Sequence, residues 1–143
     1  MIQGLEVREL PSHLGEKGLV VELREGQVTT DGLASSCHNL FPDIVDAWTV
    51  HDEAVERVIC VEGMIKLVTY DARSDSATKG EVSEIFLGEY CYREVKIPAG
   101  VFRGWKAAGK RGALVLSTLE GDDPAGRSLS RTSVPYDWDL VMK

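Results

Sequence analysis

The sequence lacks a long apolar run, an excess of basic residues and a dense set of cysteines. None of its apolar stretches approaches the roughly 20 residues that a helix needs to cross a bilayer. The net charge is −7 and is spread along the chain, whereas binding to a nucleic-acid backbone needs a clustered basic face. The three cysteines are widely spaced and form no CxxC pair, so neither a disulfide framework nor a zinc site is indicated. We therefore expect neither a membrane nor a nucleic acid among its partners.

The N-terminal sequence does not predict a signal peptide. The first residues, MIQGLEVREL, carry acidic side chains where a signal peptide would have its apolar segment. We therefore expect a cytoplasmic protein. With 143 residues, we expect one domain over 1–143, because a chain of this length buries about two thirds of the surface of its unfolded form.

What the sequence does contain is a series of short β-type runs separated by glycine and proline, with almost no helical period. Many short strands without interleaved helices favour an antiparallel sandwich or barrel over a parallel sheet. The fold class expected is all-β, with a jelly roll as the first choice. The predicted strands cover 18–24, 44–51, 56–62, 64–71, 81–87, 92–97, 101–107 and 113–119.

One segment carries residues suited to chemistry. In AWTVHDEAVERVICVEG, residues 47–63, His51 is followed by Glu56 and then by Gly63. Together with the later PAGVFR, this spacing is similar to the two motifs of metal-binding cupins, in which four side chains converge on one metal. Thr49 stands at the first histidine position of that pattern, and Arg103 stands at the last. Since a guanidinium has five donors and no acceptor, Arg103 cannot be a ligand. We therefore expect no metal and disfavour a metal-dependent oxygenase.

An arginine in the mouth of a barrel suits an anion, because its planar fork matches carboxylate or phosphate geometry. Strand alternation places Thr49 and His51 on one face, and Arg103 on the same face as Trp105. If these faces line the interior, a neutral His51 can remove a proton next to a carbonyl while Arg103 stabilises the enolate.

Other interpretations of the same residues stay open. His51 can be a surface residue that closes a strand, and Arg103 can form a structural ion pair with Glu56 that leaves no reactive group. Trp105 can be a core residue instead of a platform for substrate. His38 has no supporting neighbours in the sequence and stays unassigned, as does His13.

The chain resembles the dTDP-4-dehydrorhamnose 3,5-epimerase-like branch of the cupins, RmlC-like proteins, over roughly residues 26–139. The resemblance is carried by YDARSDSATKGE, by VKIPAGVFRGWKAAG and by the closing VPYDW. It implies a jelly-roll barrel, a homodimer, no metal or other cofactor, and a nucleotide-linked 4-keto sugar as substrate.

The resemblance also implies roles for particular residues. It assigns the catalytic base to His51 and places Arg57 where the family has a lysine near the sugar oxyanion. Arg24 resembles the arginine of an early family motif, although the spacing differs by one residue. The substrate-binding residues expected are Arg103, Glu56, Thr49, Trp105 and Arg24.

Two departures from the family pattern set the alternatives. Arg103 replaces the second histidine, and the catalytic tyrosine has no match in ALVLSTL, residues 113–119. The sequence therefore predicts a metal-independent isomerase or epimerase. The alternative is a non-catalytic barrel that binds a small anionic ligand, since loss of the acid with retention of the cations preserves binding better than turnover.

Overall fold

Strands dominate the fold of this protein, as a computed structural model shows for residues 1–16, 18–21, 33–121 and 126–139. A single 3-10 turn at Arg131–Ser133 accompanies the strands in these ranges. None of the described residues belongs to a helix with the length and apolarity needed to cross a membrane. The strands are β1 (Glu6–Glu9), β2 (Ser12–Gly15), β3 (Gly18–Val21), β4 (Leu33–Leu40), β5 (Val45–Val50), β6 (Ala54–Glu62), β7 (Met64–Asp71), β8 (Val82–Gly88), β9 (Arg93–Ile97), β10 (Val101–Ala107), β11 (Ala113–Gly121) and β12 (Arg127–Ser128).

Ten of these strands form two five-stranded sheets. The first sheet has the order β1, β9, β6, β11, β4, and the second has the order β12, β5, β10, β7, β8. Every pairing within them is antiparallel, and β2 pairs with β3 in a separate hairpin. Strands distant in the chain are therefore neighbours, as in a jelly roll. The predicted all-β jelly roll is confirmed.

The core lies between the two sheets and is built from alternate residues of their strands. Its buried apolar members are each at most 8% exposed, and burial of each of the larger side chains is worth about 1.5–3 kcal/mol. Glu56 shares its face of β6 with two of these residues, and Arg103 lies between two others on β10, so alternation directs both into the barrel. The core members include Val58, Cys60, Val95, Val115, Ile65, Leu67, Val101 and Trp105.

The outer face of the second sheet is covered by the C-terminal segment. Trp138 and Tyr136 pack against Trp48 of β5, with 5.4 Å between the ring centroids of the two tryptophans. The indole nitrogen of Trp48 donates a hydrogen bond to the carbonyl of Arg131 at 3.0 Å. Within this chain the aromatic C-terminal segment therefore packs on the barrel.

The predicted strands agree closely with those observed. Those over 64–71 and 101–107 match residue for residue, and five others agree to within two residues at each end. The prediction over 18–24 is met as far as residue 21, and residues 22–24 lie outside the described part of the chain. Gly63, between β6 and β7, has a φ of 73°, a conformation that favours glycine.

The sequence does not predict β4. Its residues, LASSCHNL, include two serines and an asparagine, which are typical of turns and loops. All eight nevertheless pair with β11, from Leu33 opposite Glu120 to Leu40 opposite Ala113. As an edge strand, β4 is held by backbone hydrogen bonds to β11 and does not need a continuous apolar pattern.

Candidate active site

The centre of the candidate site is a buried ion pair between Glu56 of β6 and Arg103 of β10. The Nε of Arg103 donates to Glu56 Oε1 at 2.8 Å, and its Nη2 donates to Oε2 at 3.1 Å. The hydroxyl of Ser117 on β11 donates to the same Oε2 at 2.6 Å. Glu56 is 2% exposed and Arg103 is 6% exposed. The structure therefore places the guanidinium inside the barrel, where it bridges the two sheets.

This pairing keeps Glu56 ionised. Burial by itself raises the pKa of a carboxyl group, but the charge and the hydrogen bonds of Arg103, helped by Ser117, hold the pKa of Glu56 below its ordinary value. The two bonds use Nε and Nη2 of Arg103. Its Nη1 has no hydrogen-bond acceptor among the described residues, which leaves these N–H groups available to a ligand oxygen.

Trp105 supports the guanidinium from the core side. The Cζ of Arg103 lies 3.7 Å from the centroid of the Trp105 ring, a cation–π contact. The indole nitrogen donates to Asp46 Oδ2 at 2.9 Å. Because Trp105 is completely buried, the structure gives it a position beneath Arg103, in place of the direct substrate contact expected from the sequence.

His51 follows the last residue of β5 and is only 7% exposed, so its interpretation as a surface residue is wrong. Its Nε2 lies 4.0 Å from Glu56 Oε2. The backbone around it is fixed, because the N–H of Gly100 donates to the carbonyl of His51 at 2.8 Å. Gly126 packs against the ring so closely that a Cβ there would lie 2.7 Å from Cε1. The imidazole is therefore held in one place beside the ion pair.

His38 is a residue of this cluster that the sequence left unassigned. It lies on β4, and its ring packs against Trp105 with 5.1 Å between centroids and an interplanar angle of 60°. Its Nε2 and the hydroxyl of Ser36 are 2.8 Å apart. Burial, followed by the charge of Arg103, lowers the pKa of His38 below its ordinary value. Once β4 is recognised as a strand, alternation places His38 on the same face as the buried Leu40, which is two residues further along the strand.

Two threonines flank Arg103 in register. Thr49 of β5 pairs with Arg103 on one side, and Thr69 of β7 pairs with it on the other. Thr49 is half-buried, whereas the hydroxyl of Thr69 is buried and has no hydrogen-bond partner in the described part of the chain. Thr49 and Arg103, both expected to bind substrate, are therefore neighbours in the second sheet. Arg24 lies outside the described residues.

Arg57 is not brought to this site. It follows Glu56 on β6, and alternation directs it to the outer face of the first sheet. There its Nη1 donates to Glu94 Oε1 at 3.2 Å, and its Nε donates to Glu120 Oε1 at 3.3 Å. The role near the substrate oxyanion that the resemblance implied for Arg57 therefore does not fit its position within one chain.

The donor set of the site does not suit a metal ion. Glu56 is bound through both oxygens to the cationic Arg103, and a guanidinium offers no lone pair. Within the described ranges, no three His, Cys, Asp or Glu side chains gather in a way that could hold a metal ion.

Two curated proteins are similar to most of the chain. The probable low-salt glycan biosynthesis epimerase of Haloferax volcanii is 28% identical over 144 residues, covering 95% of this chain and 89% of that protein. The spore coat polysaccharide biosynthesis protein SpsL of Bacillus subtilis is 30% identical over 112 residues, covering 77% of this chain and 74% of that protein. No protein-family model matches the chain.

The solved structures extend this similarity to the fold. A dTDP sugar isomerase from Desulfovibrio desulfuricans has a TM-score of 0.85 and 27% identity, over 96% of this chain and 92% of that one. The chain belongs to the RmlC-like epimerase family. The RmlC epimerase of Mycobacterium tuberculosis shares the RmlC-like fold, with a TM-score of 0.82 and 18% identity over 97% of this chain and 76% of that one. The resemblance seen in the sequence is thereby confirmed, and the protein is an isomerase of the epimerase type.

Proposed function

We propose that this RmlC-like protein epimerises a nucleotide-linked 4-keto sugar at a carbon next to the ketone, with His51 as the base that removes the proton. The observation that carries the proposal is the buried Arg103, bonded to Glu56 through two nitrogens and with its third nitrogen available, beside the fixed imidazole of His51. The nucleotide-linked substrate is supported by the similarity to a dTDP sugar isomerase.

The reaction needs three things from the site. A base takes the proton on the carbon next to the ketone, for which a neutral imidazole is suited near pH 7. A fixed cation stabilises the enolate oxygen, and the N–H groups of Arg103 Nη1 can donate to it in a region of low dielectric. The carboxylate of Glu56, 4.0 Å from His51 Nε2, stabilises the imidazolium that forms. These steps need no resident metal.

A second candidate function is the binding of a small anionic ligand without turnover. It is favoured by the absence of a tyrosine from ALVLSTL, residues 113–119, because loss of the acid with retention of the cation preserves binding better than turnover. The two functions differ in proton exchange, because a binding protein leaves the hydrogens of its ligand in place.

The decisive experiment is incubation with dTDP-4-keto-6-deoxyglucose in deuterated water, followed by NMR of the protons next to the ketone. We expect exchange with the wild type and a loss of about 100-fold or more in His51→Asn, in line with the usual contribution of a general base. His13→Asn, in the separate β2–β3 hairpin, is the matched control and should exchange like the wild type. Tight binding without exchange would establish the second function, and repetition with the free keto sugar tests the need for the nucleotide.

We also propose a homodimer in the cytoplasm. The dimer is supported by the resemblance to the family and by exposed apolar side chains near one end of the barrel, Phe41 and Ile44, which are 71% and 58% exposed in the single chain. Sedimentation equilibrium should give twice the mass of 15.7 kDa. Cell fractionation tests the location.

A further inference from the structure

We propose that His38 is the second proton-transfer group of this site, delivering a proton to the face of the sugar carbon opposite to the one that His51 deprotonates. The inference rests on the proposed function. Epimerisation inverts a carbon centre, so the proton that returns must come from the other side. A single base returns it to the side from which it came and regenerates the substrate.

The described part of the site offers few other groups for this task. Glu56 is committed to Arg103 and Ser117 through three hydrogen bonds. Asp46 accepts a hydrogen bond from the indole of Trp105, and a carboxylate held in this way is a poor proton donor. An imidazole carries a proton near neutral pH without a large shift of its pKa.

The contacts link each of the two imidazoles to Arg103 through a different neighbour. On one side, Arg103 bonds to Glu56, whose carboxylate lies 4.0 Å from His51 Nε2. On the other side, Arg103 stacks on Trp105, and the same indole contacts the ring of His38. The two histidines also come from different sheets, His38 from β4 and His51 from the end of β5. In the proposal, a ketone oxygen bound to Arg103 therefore has one proton-transfer group near the Glu56 side of the guanidinium and the other near its Trp105 side.

The surroundings of His38 suit a donor that must be recharged after each turnover. It is half-buried, so solvent can restore its proton, and the hydrogen bond between Ser36 and Nε2 fixes the ring. The charged groups that act on it are Arg103, Glu56 and Asp46. The pKa of His38 is lowered by burial and then by Arg103, which makes its imidazolium a stronger acid but reduces its population as the pH rises.

The proton balance closes with these groups alone. His51 Nε2 takes the proton from the carbon, and the electron pair of that bond forms the enolate, whose oxygen lies on Arg103. The His38 imidazolium then gives its proton to the opposite face of the carbon, and the ketone reforms. His51 ends protonated and His38 neutral, and exchange with water restores both.

The experiment separates proton removal from inversion. Wild type, His38→Asn and His51→Asn are each incubated with dTDP-4-keto-6-deoxyglucose in deuterated water, and NMR follows deuterium in the remaining substrate and formation of the epimer. In His38→Asn we expect epimer formation to fall about 100-fold or more, while deuterium still enters the substrate within about threefold of the wild-type rate. His51→Asn should lose both.

Ser36→Ala is the second variant, because Ser36 is exposed and its loss does not threaten folding. It removes the bond that fixes His38, so epimer formation should fall about 2- to 10-fold, the equivalent of one hydrogen bond, with deuterium entry unchanged. In the wild type, the ratio of epimer to deuterated substrate should fall as the pH rises through the lowered pKa of His38. A residue that only packs against Trp105 would not change that ratio.

The outcomes distinguish the two levels of the proposal. Epimer formation at the wild-type rate by folded His38→Asn overturns the role of His38 alone, and so does an equal loss of exchange and inversion. Absence of exchange in the wild type refutes the proposed function, and the inference from it fails at the same time.

Discussion

Removal of either partner of the buried ion pair should destabilise the protein far more than removal of both. Glu56→Leu leaves the guanidinium of Arg103 buried without its carboxylate, and Arg103→Met leaves the carboxylate without its cation. Each pair member is at most 6% exposed and the pair shares two hydrogen bonds of 2.8 and 3.1 Å. Breaking such a pair costs about 3–5 kcal/mol, whereas replacing both members by apolar residues is often neutral. We expect a coupling free energy of at least about 2 kcal/mol in the double variant.

The assay is urea unfolding of the four proteins at pH 7, followed by tryptophan fluorescence. With a slope of about 2 kcal/mol per M, each single variant should lower the midpoint by roughly 2 M. Since small domains have about 5–15 kcal/mol of stability in total, the single variants should still fold in the absence of urea. The role of the pair in stability would be refuted if both single variants had free energies of unfolding within about 1 kcal/mol of the wild type. It would also be refuted if the effects of the two substitutions were strictly additive in the double variant.

The pH dependence of the same variants gives a second check. The pKa of Glu56 lies below its ordinary value in the folded protein, because Arg103 and Ser117 outweigh the effect of burial, so the pair stabilises the wild type above the pKa of the unfolded chain. This stability is lost as the pH falls from the unfolded value through the lowered folded pKa. In Arg103→Met the buried carboxyl has no cation, so its pKa rises and the variant should regain stability as the pH falls. Parallel profiles for the two proteins would contradict this reasoning.

Three further predictions concern other parts of the molecule. Asp71→Asn should lower the free energy of unfolding by about 2–4 kcal/mol in urea titrations. The reason is that this fully buried carboxylate accepts hydrogen bonds from an arginine and two hydroxyls. A loss below about 0.5 kcal/mol would show that these hydrogen bonds do not stabilise the fold. Gly126→Ala places a Cβ 2.7 Å from Cε1 of His51 and puts alanine at a φ of 69°. Proton exchange on the sugar should fall at least about tenfold, and the urea midpoint should fall by about 0.5 M, the equivalent of roughly 1 kcal/mol for a left-handed backbone. Unchanged exchange would show that the ring is not fixed there. Burial raises the pKa of Cys60 to about 11. At pH 8 a thiol reagent should therefore label the exposed Cys37 and react with Cys60 only after unfolding. Mass spectrometry of the labelled peptides can verify this order.

The fold was predictable because the information that specifies it is largely local. Alternation, turn glycines and the motif around His51 give most strands and the jelly roll, and they indicate that Arg103 occupies a position of metal ligands in similar proteins. The edge strand Leu33–Leu40 was missed because an edge strand is held by backbone bonds, which a polar sequence permits as readily as an apolar one.

The composition of the site was decided by tertiary structure. Glu56 and Arg103 are 47 residues apart in sequence, and their pairing was one of several interpretations until the two sheets were seen to face each other. His38 lies on a strand that the sequence does not reveal, and it reaches Trp105 through the packing of one sheet on the other. Arg57, adjacent to Glu56, points out of the barrel instead.

The sequence by itself determined which residues alternate along each strand, because the side-chain period of a strand is local. It did not determine which of the two faces turns inward, since that depends on where the opposing sheet lies. Arg57 and Glu56 are adjacent on β6, yet Arg57 forms a salt bridge on the outer face and Glu56 forms the buried ion pair of the site. Only the closure of the barrel decides which of these two faces is the inner one.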